Sequence, residues 1–392
     1  MGKCYITRRG TKTSGTTEQL GIYPIGEDGR PTGDVVVPEG VKSLYRYIFD
    51  SNKNVSSVKL PTTLENINNY AFYNCTSLQK IDKIPDFITK IETSTFQNCS
   101  SLEEIDLNNC YEFDVNAFNG CTKLKPKINT PVNKVSLGNH AFFKCSSITD
   151  EFVNKIGSNI GSHGSHCFEG CTSLQNIEIK FCNDNSFYGC TGLKTVKIED
   201  CLSSLRSGSS VFYNCTNLET INYGETCKTR MTRIESNYCY NCSSLKSIEL
   251  PTSLTTIDTY AFKNCSSLTS IVIPDGVITI GYEIFSGCTA LKDVYLPSTI
   301  TKDSYDTFTS SNNYMFKNCT SLENVRLGQD WNLNLRLDVS ENLTVDSIVA
   351  MFNSLKDLTG DTAKTLTLGS TNLAKLTDEQ KAIAINKNWT LA

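Results

Sequence analysis

AFKNCSSLTSIVIP (residues 261–274) and IFSGCTALKDVYLP (residues 284–297) decide the fold, because the same pattern recurs along most of the chain. Upstream it reads AFYNCTSLQKI (71–81), TFQNCSSLEEIDL (95–107), AFNGCTKL (117–124), AFFKCSSI (141–148), CFEGCTSLQNIEI (167–179) and SFYGCTGLKTVKI (186–198). It continues as VFYNCTNLETI (211–221) and YCYNCSSLKSIELP (238–251), and downstream as MFKNCTSLENVRL (315–327). Eleven cysteines hold one position in this pattern: Cys75, Cys99, Cys121, Cys145, Cys171, Cys190, Cys215, Cys242, Cys265, Cys288 and Cys319. Their spacing runs from 19 residues (171 to 190) to 31 (288 to 319).

Each part of the pattern has a physical role. The tail L-x-x-I-x-L places apolar residues at alternate positions, the period of a half-buried strand. Asn or Gly two residues after the Phe, followed by Cys-Thr/Ser-Ser, supplies turn residues that tolerate left-handed backbone. Pro251, Pro274 and Pro297 end their strands. A second apolar element, as in Leu254–Ile257 and Val277–Ile280, gives each coil two strand-like sides. One such coil buries too few apolar side chains to offset the entropy of ordering its backbone, so neighbouring coils must stack.

A period of 20–29 residues is that of leucine-rich repeats. The expected fold is a repeat solenoid, a leucine-rich-repeat-like right-handed superhelix of mostly short β-strands with an α/β C-terminal cap. The eleven repeat cysteines are expected as a buried column of small apolar residues rather than as disulfides.

The repeat resembles the BspA-like leucine-rich repeats of bacterial surface proteins, over roughly residues 35–327. That resemblance implies a solenoid used for adhesion, for binding host matrix or other cells, and for surface display. Similar proteins are encoded by phages. It brings no catalytic residues and no cofactor. Three segments are expected: an N-terminal attachment or cap segment (1–34), the solenoid (35–327) and a C-terminal leucine-rich-like cap (328–392). The first is expected to be partly flexible around Gly10–Thr17. In the last, Leu343–Leu355 has helical spacing, Leu366–Leu368 is strand-like, and Thr377 with Gln380 reads as the start of a second helix.

Composition limits the functions available. The chain has 392 residues and a formal net charge of -4, so no cationic excess exists to neutralise a run of phosphates, and no nucleic-acid partner is expected. No stretch approaches the ~20 apolar residues needed to span a bilayer, and no membrane insertion is expected. Lys3, Arg8, Arg9 and Lys12 are followed by no apolar run, so no export signal is read here. No GxSxG, Walker A, GxGxxG or HExxH motif is present, and three histidines leave few bases for nucleophilic catalysis.

His163, His166, Cys167 and Cys171 have the residue types of a zinc site, but Cys167 and Cys171 stand in repeat register and read as core. Cys239 and Cys242 have redox-motif spacing, yet Cys239 replaces the repeat Phe and reads as an inward structural thiol. Asn-Cys-Ser/Thr matches, such as Asn74 and Asn264, are by-products of the turn. No catalytic, cofactor-binding or metal residue is assigned.

The residues flanking the strand Ile face away from the core. They form the expected binding face: Lys80, Asp82, Glu104, Asp106, Asn176, Glu178, Thr195, Lys197 and Thr220 in the first part. Asn222, Ser247, Glu249, Ser270, Val272, Asp293, Tyr295, Asn324 and Arg326 complete it. The expectation is a non-enzymatic module at the cell surface or outside the cell, binding a protein or glycan on a host or neighbouring cell. The alternative is a structural or receptor-binding virion component of a phage of gut bacteria.

Overall fold

The computed structural model describes residues 3–7, 19–24, 30–129, 133–180, 183–199, 208–303 and 314–392. They belong to two compact units, Met1–Leu174 and Gln175–Ala392.

Two left-handed residues per coil turn the chain around a corner. The residue before every repeat cysteine has positive φ: Asn at six coils, Gly at four and Lys144 at one. A second left-handed residue stands just before the Ala-Phe pair, as at Tyr70, His140 and Tyr260, and before Val211-Phe212 at Ser210. Asn and Gly at the first position bear this conformation at least cost, which is why the pattern selects them. Gly120 shows the second reason: a Cβ there would run into the side chain of Asn98 in the coil before.

In the first unit, Lys3–Thr7 and Gln19–Pro24 pair antiparallel. The intervening stretch Gly10–Thr17 lies outside the described residues. The two strand sides of each coil then make parallel ladders. One joins Gly33–Val36, Val55–Lys59, Lys80–Ile81 and Glu104–Ile105. The other joins Lys90–Ile91, Glu112–Phe113, Val135–Leu137 and Ile160–His163.

One coil carries a helix where its neighbours carry a strand. After Cys145 the chain forms the helix Asp150–Gly157, whose N-terminus is capped by the Thr149 hydroxyl accepting from the Phe152 amide. Asp150 and Glu151 sit in its first turn, Lys155 in its last, and Phe152, Val153 and Ile156 are buried. Local helix signals therefore outweigh the strand pattern at this coil.

The second unit repeats the plan. Asn176–Ile179, Thr195–Ile198 and Thr220–Tyr223 form one parallel sheet. Ser270–Val272, Asp293–Leu296 and Asn324–Leu327 form another. Ser247–Leu250, expected as the strand between them, is exposed at Ser247 and Glu249 but belongs to no strand. The opposite side carries Arg233–Ile234, Thr256–Ile257, Thr279–Ile280 and Lys302–Asp303.

The chain ends in a parallel sheet of Leu335–Arg336, Lys364–Thr367 and Trp389–Leu391, with the helices Val345–Ser354 and Asp378–Ile385. Thr377 and Gln380 make a capping box. Lys387 ties the turns together: its ammonium donates to the carbonyls of Phe352, Asn353 and Leu355, at 3.1, 2.8 and 2.9 Å.

The core is columnar. In the first unit Phe49, Phe72, Phe96, Phe118, Phe142 and Phe168 stack with centroids 5.0–5.5 Å apart and nearly parallel planes. In the second unit Phe262, Phe285 and Phe316 stack likewise. At the coil before them the pattern is inverted. Tyr238 fills the Ala site and Cys239 the Phe site, both fully buried, with Tyr238 edge-on to Phe212.

In each unit a cysteine column runs beside the Phe column, and the eleven repeat cysteines are buried, none of them in a disulfide. Each thiol also has a partner role that composition does not show: ten of them donate to the carbonyl of the Phe-site residue one coil earlier, at 3.0–3.3 Å. These contacts and ladders make the chain a leucine-rich-repeat solenoid in each unit.

Candidate functional site

The strand residues flanking Ile do point outward. In the first unit Lys80 and Glu104 stand opposite each other across neighbouring strands, and Asp106 bridges to Lys127. Lys80 lies 3.3 Å from Asp82 and 3.5 Å from Glu104, and these carboxylates raise the pKa of its ammonium, Asp82 most. In the second unit Asn176, Thr195 and Thr220 align, as do Glu178, Lys197 and Asn222. Lys197 pairs with Glu199 and lies 3.7 Å from Glu178. Such exposed pairs add little stability, and with one ammonium set against two carboxylates at both Lys80 and Lys197 the stripe stays mildly acidic.

The second sheet differs. Ser270, Asp293 and Asn324 form one row, and Val272, Tyr295 and Arg326 form the next, each in register across three strands. Val272 is 55% exposed, large for an apolar side chain on a folded surface. The Tyr295 hydroxyl donates to Asp275 at 2.8 Å, and the Arg326 guanidinium lies 5.8 Å from the Tyr295 ring centroid. Burial and the Asp275 bond push the Tyr295 phenol upward in pKa, so it stays a donor. Asn324 donates to Asp293 at 2.8 Å. An apolar, an aromatic and a guanidinium group side by side, with a carboxylate and an amide beneath, have the make-up of an interface anchor.

The histidine–cysteine stretch is engaged elsewhere. The His166 ring stacks on His140 with centroids 4.6 Å apart and its Nδ1 meets a Glu169 carboxylate oxygen. Cys167 is buried and donates to the Gly164 carbonyl at 2.9 Å, and Cys171 donates to Phe142. Burial raises the Cys167 thiol to about 12. Among the described residues, no group of three His, Cys, Asp or Glu side chains is placed to hold a metal ion. A shallow cavity of about 290 Å³ lies beside the helix Asp150–Gly157, lined by Lys127, Ile128, Phe152 and Lys155 among others. Among the described residues no helix is long and apolar enough to cross a membrane.

The reading of the strands overlooked a second surface feature. Tyrosines recur directly after the Phe-site residue at Tyr188, Tyr213 and Tyr240, and the structure stacks them. The recurrence of Tyr before Gly/Asn-Cys was the signal available.

Comparison with known proteins agrees with this architecture. The BspA type leucine rich repeat region matches in six copies over residues 31–149, 153–230 and 232–334. Among solved structures, a leucine-rich repeat protein from Bacteroides ovatus is 26% identical, with a TM-score of 0.48, covering 83% of this chain and 92% of that one. A leucine rich cell surface protein from Faecalibacterium prausnitzii is 20% identical, with a TM-score of 0.43 and coverage of 81% and 95%. The pneumococcal vaccine antigen PcpA is 16% identical, with a TM-score of 0.44 and coverage of 94% and 90%. No curated protein matches at a significant level. With the family's repeat matched over most of its length and stacked as coils in both units, this chain belongs to the BspA-type leucine-rich repeat proteins.

Proposed function

We propose that the protein is a non-enzymatic recognition module, displayed at a cell surface or outside the cell, that binds a protein or glycan through its exposed strand faces. The observation that carries this reading is the in-register row Val272–Tyr295–Arg326 beside Ser270–Asp293–Asn324. Its side chains are held by neighbours before any partner arrives, which lowers the entropic cost of binding. The rest of the stripe, from Glu104 to Glu249, contributes area and avidity rather than an anchor. Segments 1–34, 35–327 and 328–392 serve as attachment, recognition array and cap in this reading.

The test is an array of matrix proteins and glycans probed with the wild-type protein and with Asp293→Ala/Tyr295→Ala. Binding by the wild type that the double variant loses supports recognition at this patch. Wild-type binding that the double variant retains in full removes the patch, and no binding on either array counts against the module as a whole.

A further inference from the structure

The first unit carries a solvent-facing arginine that its own surface does not neutralise. Arg46, Tyr47 and Tyr70 form a triangle. The guanidinium carbon of Arg46 lies 4.7 Å from the Tyr47 ring centroid and 5.2 Å from that of Tyr70, and the two centroids are 5.1 Å apart. Tyr73 closes the group, edge-on to Tyr70 at 5.6 Å. The two rings hold the guanidinium by cation–π attraction, and its Nη2 donates to the Tyr47 hydroxyl at 2.9 Å. Arg46 is exposed and makes no ion pair among the described residues, so the rest of its five N–H donors are open to a ligand.

Neither backbone preference nor burial accounts for Tyr47. The corner imposes left-handed backbone here, with φ 64° at Tyr47 and 60° at Tyr70. Ser94 and Asn116, at the same place in the next two coils, bear that conformation with far smaller side chains. Tyr47 stays 45% exposed, so leaving water offsets little of the strain. Tyr45, on the other side of Arg46 in sequence, is 41% exposed. The tyrosines therefore fix the guanidinium and leave apolar surface at its rim.

Charge selects the partner. Residues 30–69 hold five cations (Arg30, Lys42, Arg46, Lys53 and Lys59) and four carboxylates (Asp34, Glu39, Asp50 and Glu65). Residues 70–92, which carry Tyr70 and Tyr73, add three of each. Lys42 pairs with Glu65 at 2.6 Å, while Asp34, Glu39 and Asp50 accept from the hydroxyls of Ser57, Thr62 and Ser51. Lys53 and Lys59 are exposed too, but among the described residues only Arg46 stands over Tyr47 and Tyr70. A sulfated glycan or a nucleic acid needs several cations in line, and here it would also meet the carboxylates between them. A single carboxylate needs one guanidinium, which it meets through two parallel bonds. Tyr and Arg together are the residue types that anchor contacts between proteins. We propose that this corner docks a protein partner that sets one Asp or Glu carboxylate on the Arg46 fork, with apolar atoms of the same segment against Tyr45 and Tyr47. The site uses none of the residues of the Val272–Tyr295–Arg326 patch, so either can fail alone.

A display library of random dodecapeptides, panned on the full chain and counter-selected on Arg46→Gln, tests this. Wild type should enrich peptides that carry an Asp or Glu. Their affinity should fall about tenfold on Arg46→Lys, which keeps the charge but not the fork, and about tenfold when the peptide acid is exchanged for its amide. The two changes together should lose little more than either alone, as direct pairing requires. Lys53→Gln removes a charge from the same coil and should leave affinity unchanged. Tyr45→Ala/Tyr47→Ala should weaken binding about tenfold, with the fold checked by circular dichroism. If that pair unfolds, the Arg46→Lys cycle decides alone. Failure to enrich any peptide overturns the proposal, as does enrichment of peptides that bind without Arg46. So does full binding by Arg46→Lys, or heparin binding that Arg46→Gln and Lys53→Gln weaken alike, which would mark the corner as part of a polyanion surface.

Discussion

The thiol of Cys99 donates to the main-chain carbonyl of Phe72, one coil earlier, at 3.0 Å. That carbonyl also accepts the amide of Cys75 at 3.2 Å within its own coil, so two coils meet on one oxygen. A serine in the same place would carry a stronger donor but also a group that is costlier to bury. Cysteine is small, apolar and still a donor, which explains its use at a position that every coil shares.

Truncating this donor tests the relationship. Cys99→Ala should cost about 1–3 kcal/mol, from the lost packing and the lost bond together. Urea denaturation followed by circular dichroism measures it, and an unchanged midpoint would make the thiol–carbonyl bond energetically idle.

Alkaline pH should destabilise the protein through the same column. Burial, chiefly, raises the thiol of Cys319 to about 12 and pushes Cys99 and Cys215 upward, from an ordinary value near 9.0. An acid whose folded pKa is raised binds its proton more tightly when folded. Its contribution is therefore complete below the unfolded pKa and declines as pH climbs from there towards the folded value. Melting temperature should stay level up to about pH 8 and fall from about pH 9 upward. Cys99→Ala should fall less steeply than wild type, and parallel profiles would exclude the ladder thiol as a source.

The amide column at the corner predicts a ranking. Asn98 has φ 62° and its amide donates to the Asn74 side chain at 2.8 Å, as Asn264 does to Asn241. Asn98→Gly loses the bond alone, whereas Asn98→Ala also pays for left-handed backbone of ~1–2 kcal/mol. Thermal melts should therefore rank wild type above Gly and Gly above Ala.

The cap should depend on one lysine. Lys387→Met keeps the aliphatic stem but leaves three carbonyls near the end of the helix Val345–Ser354 without their shared donor. A loss of about 1–3 kcal/mol is expected. Hydrogen exchange should rise in Val345–Ser354 and Trp389–Leu391 first. Faster exchange spread evenly along both units would contradict a local staple.

Much of this architecture was legible in particular residues. Asn or Gly before the cysteine announced the left-handed turn, and Thr377 with Gln380 announced the capped helix. Thr149, Asp150 and Glu151 carried a helix signal too, which the reading of the repeat, ending at Ile148 in this coil, did not take up. Ser247–Leu250 fits the strand pattern as well as its neighbours do. Yet the Lys246 amide reaches the Glu219 carbonyl at only 3.4 Å, and no strand forms at Ser247–Leu250. Of the binding face, outward orientation was legible from alternation alone, while the grouping of Val272 with Tyr295 and Arg326 was not.

The sequence by itself determined the coil: where the chain turns, which residues face inward, and that cysteine, Phe and Leu recur at equivalent places. The tertiary structure decided which side chains of different coils meet. Coil length varies from 19 to 31 residues, so equal positions in the pattern are not at equal distances along the chain. Only stacking superposes Tyr188 on Tyr213, Cys99 on the Phe72 carbonyl and Tyr295 between Val272 and Arg326. The reason is physical: local preferences act over a few residues, whereas register between coils is fixed by inter-coil hydrogen bonds and by the fit of buried side chains.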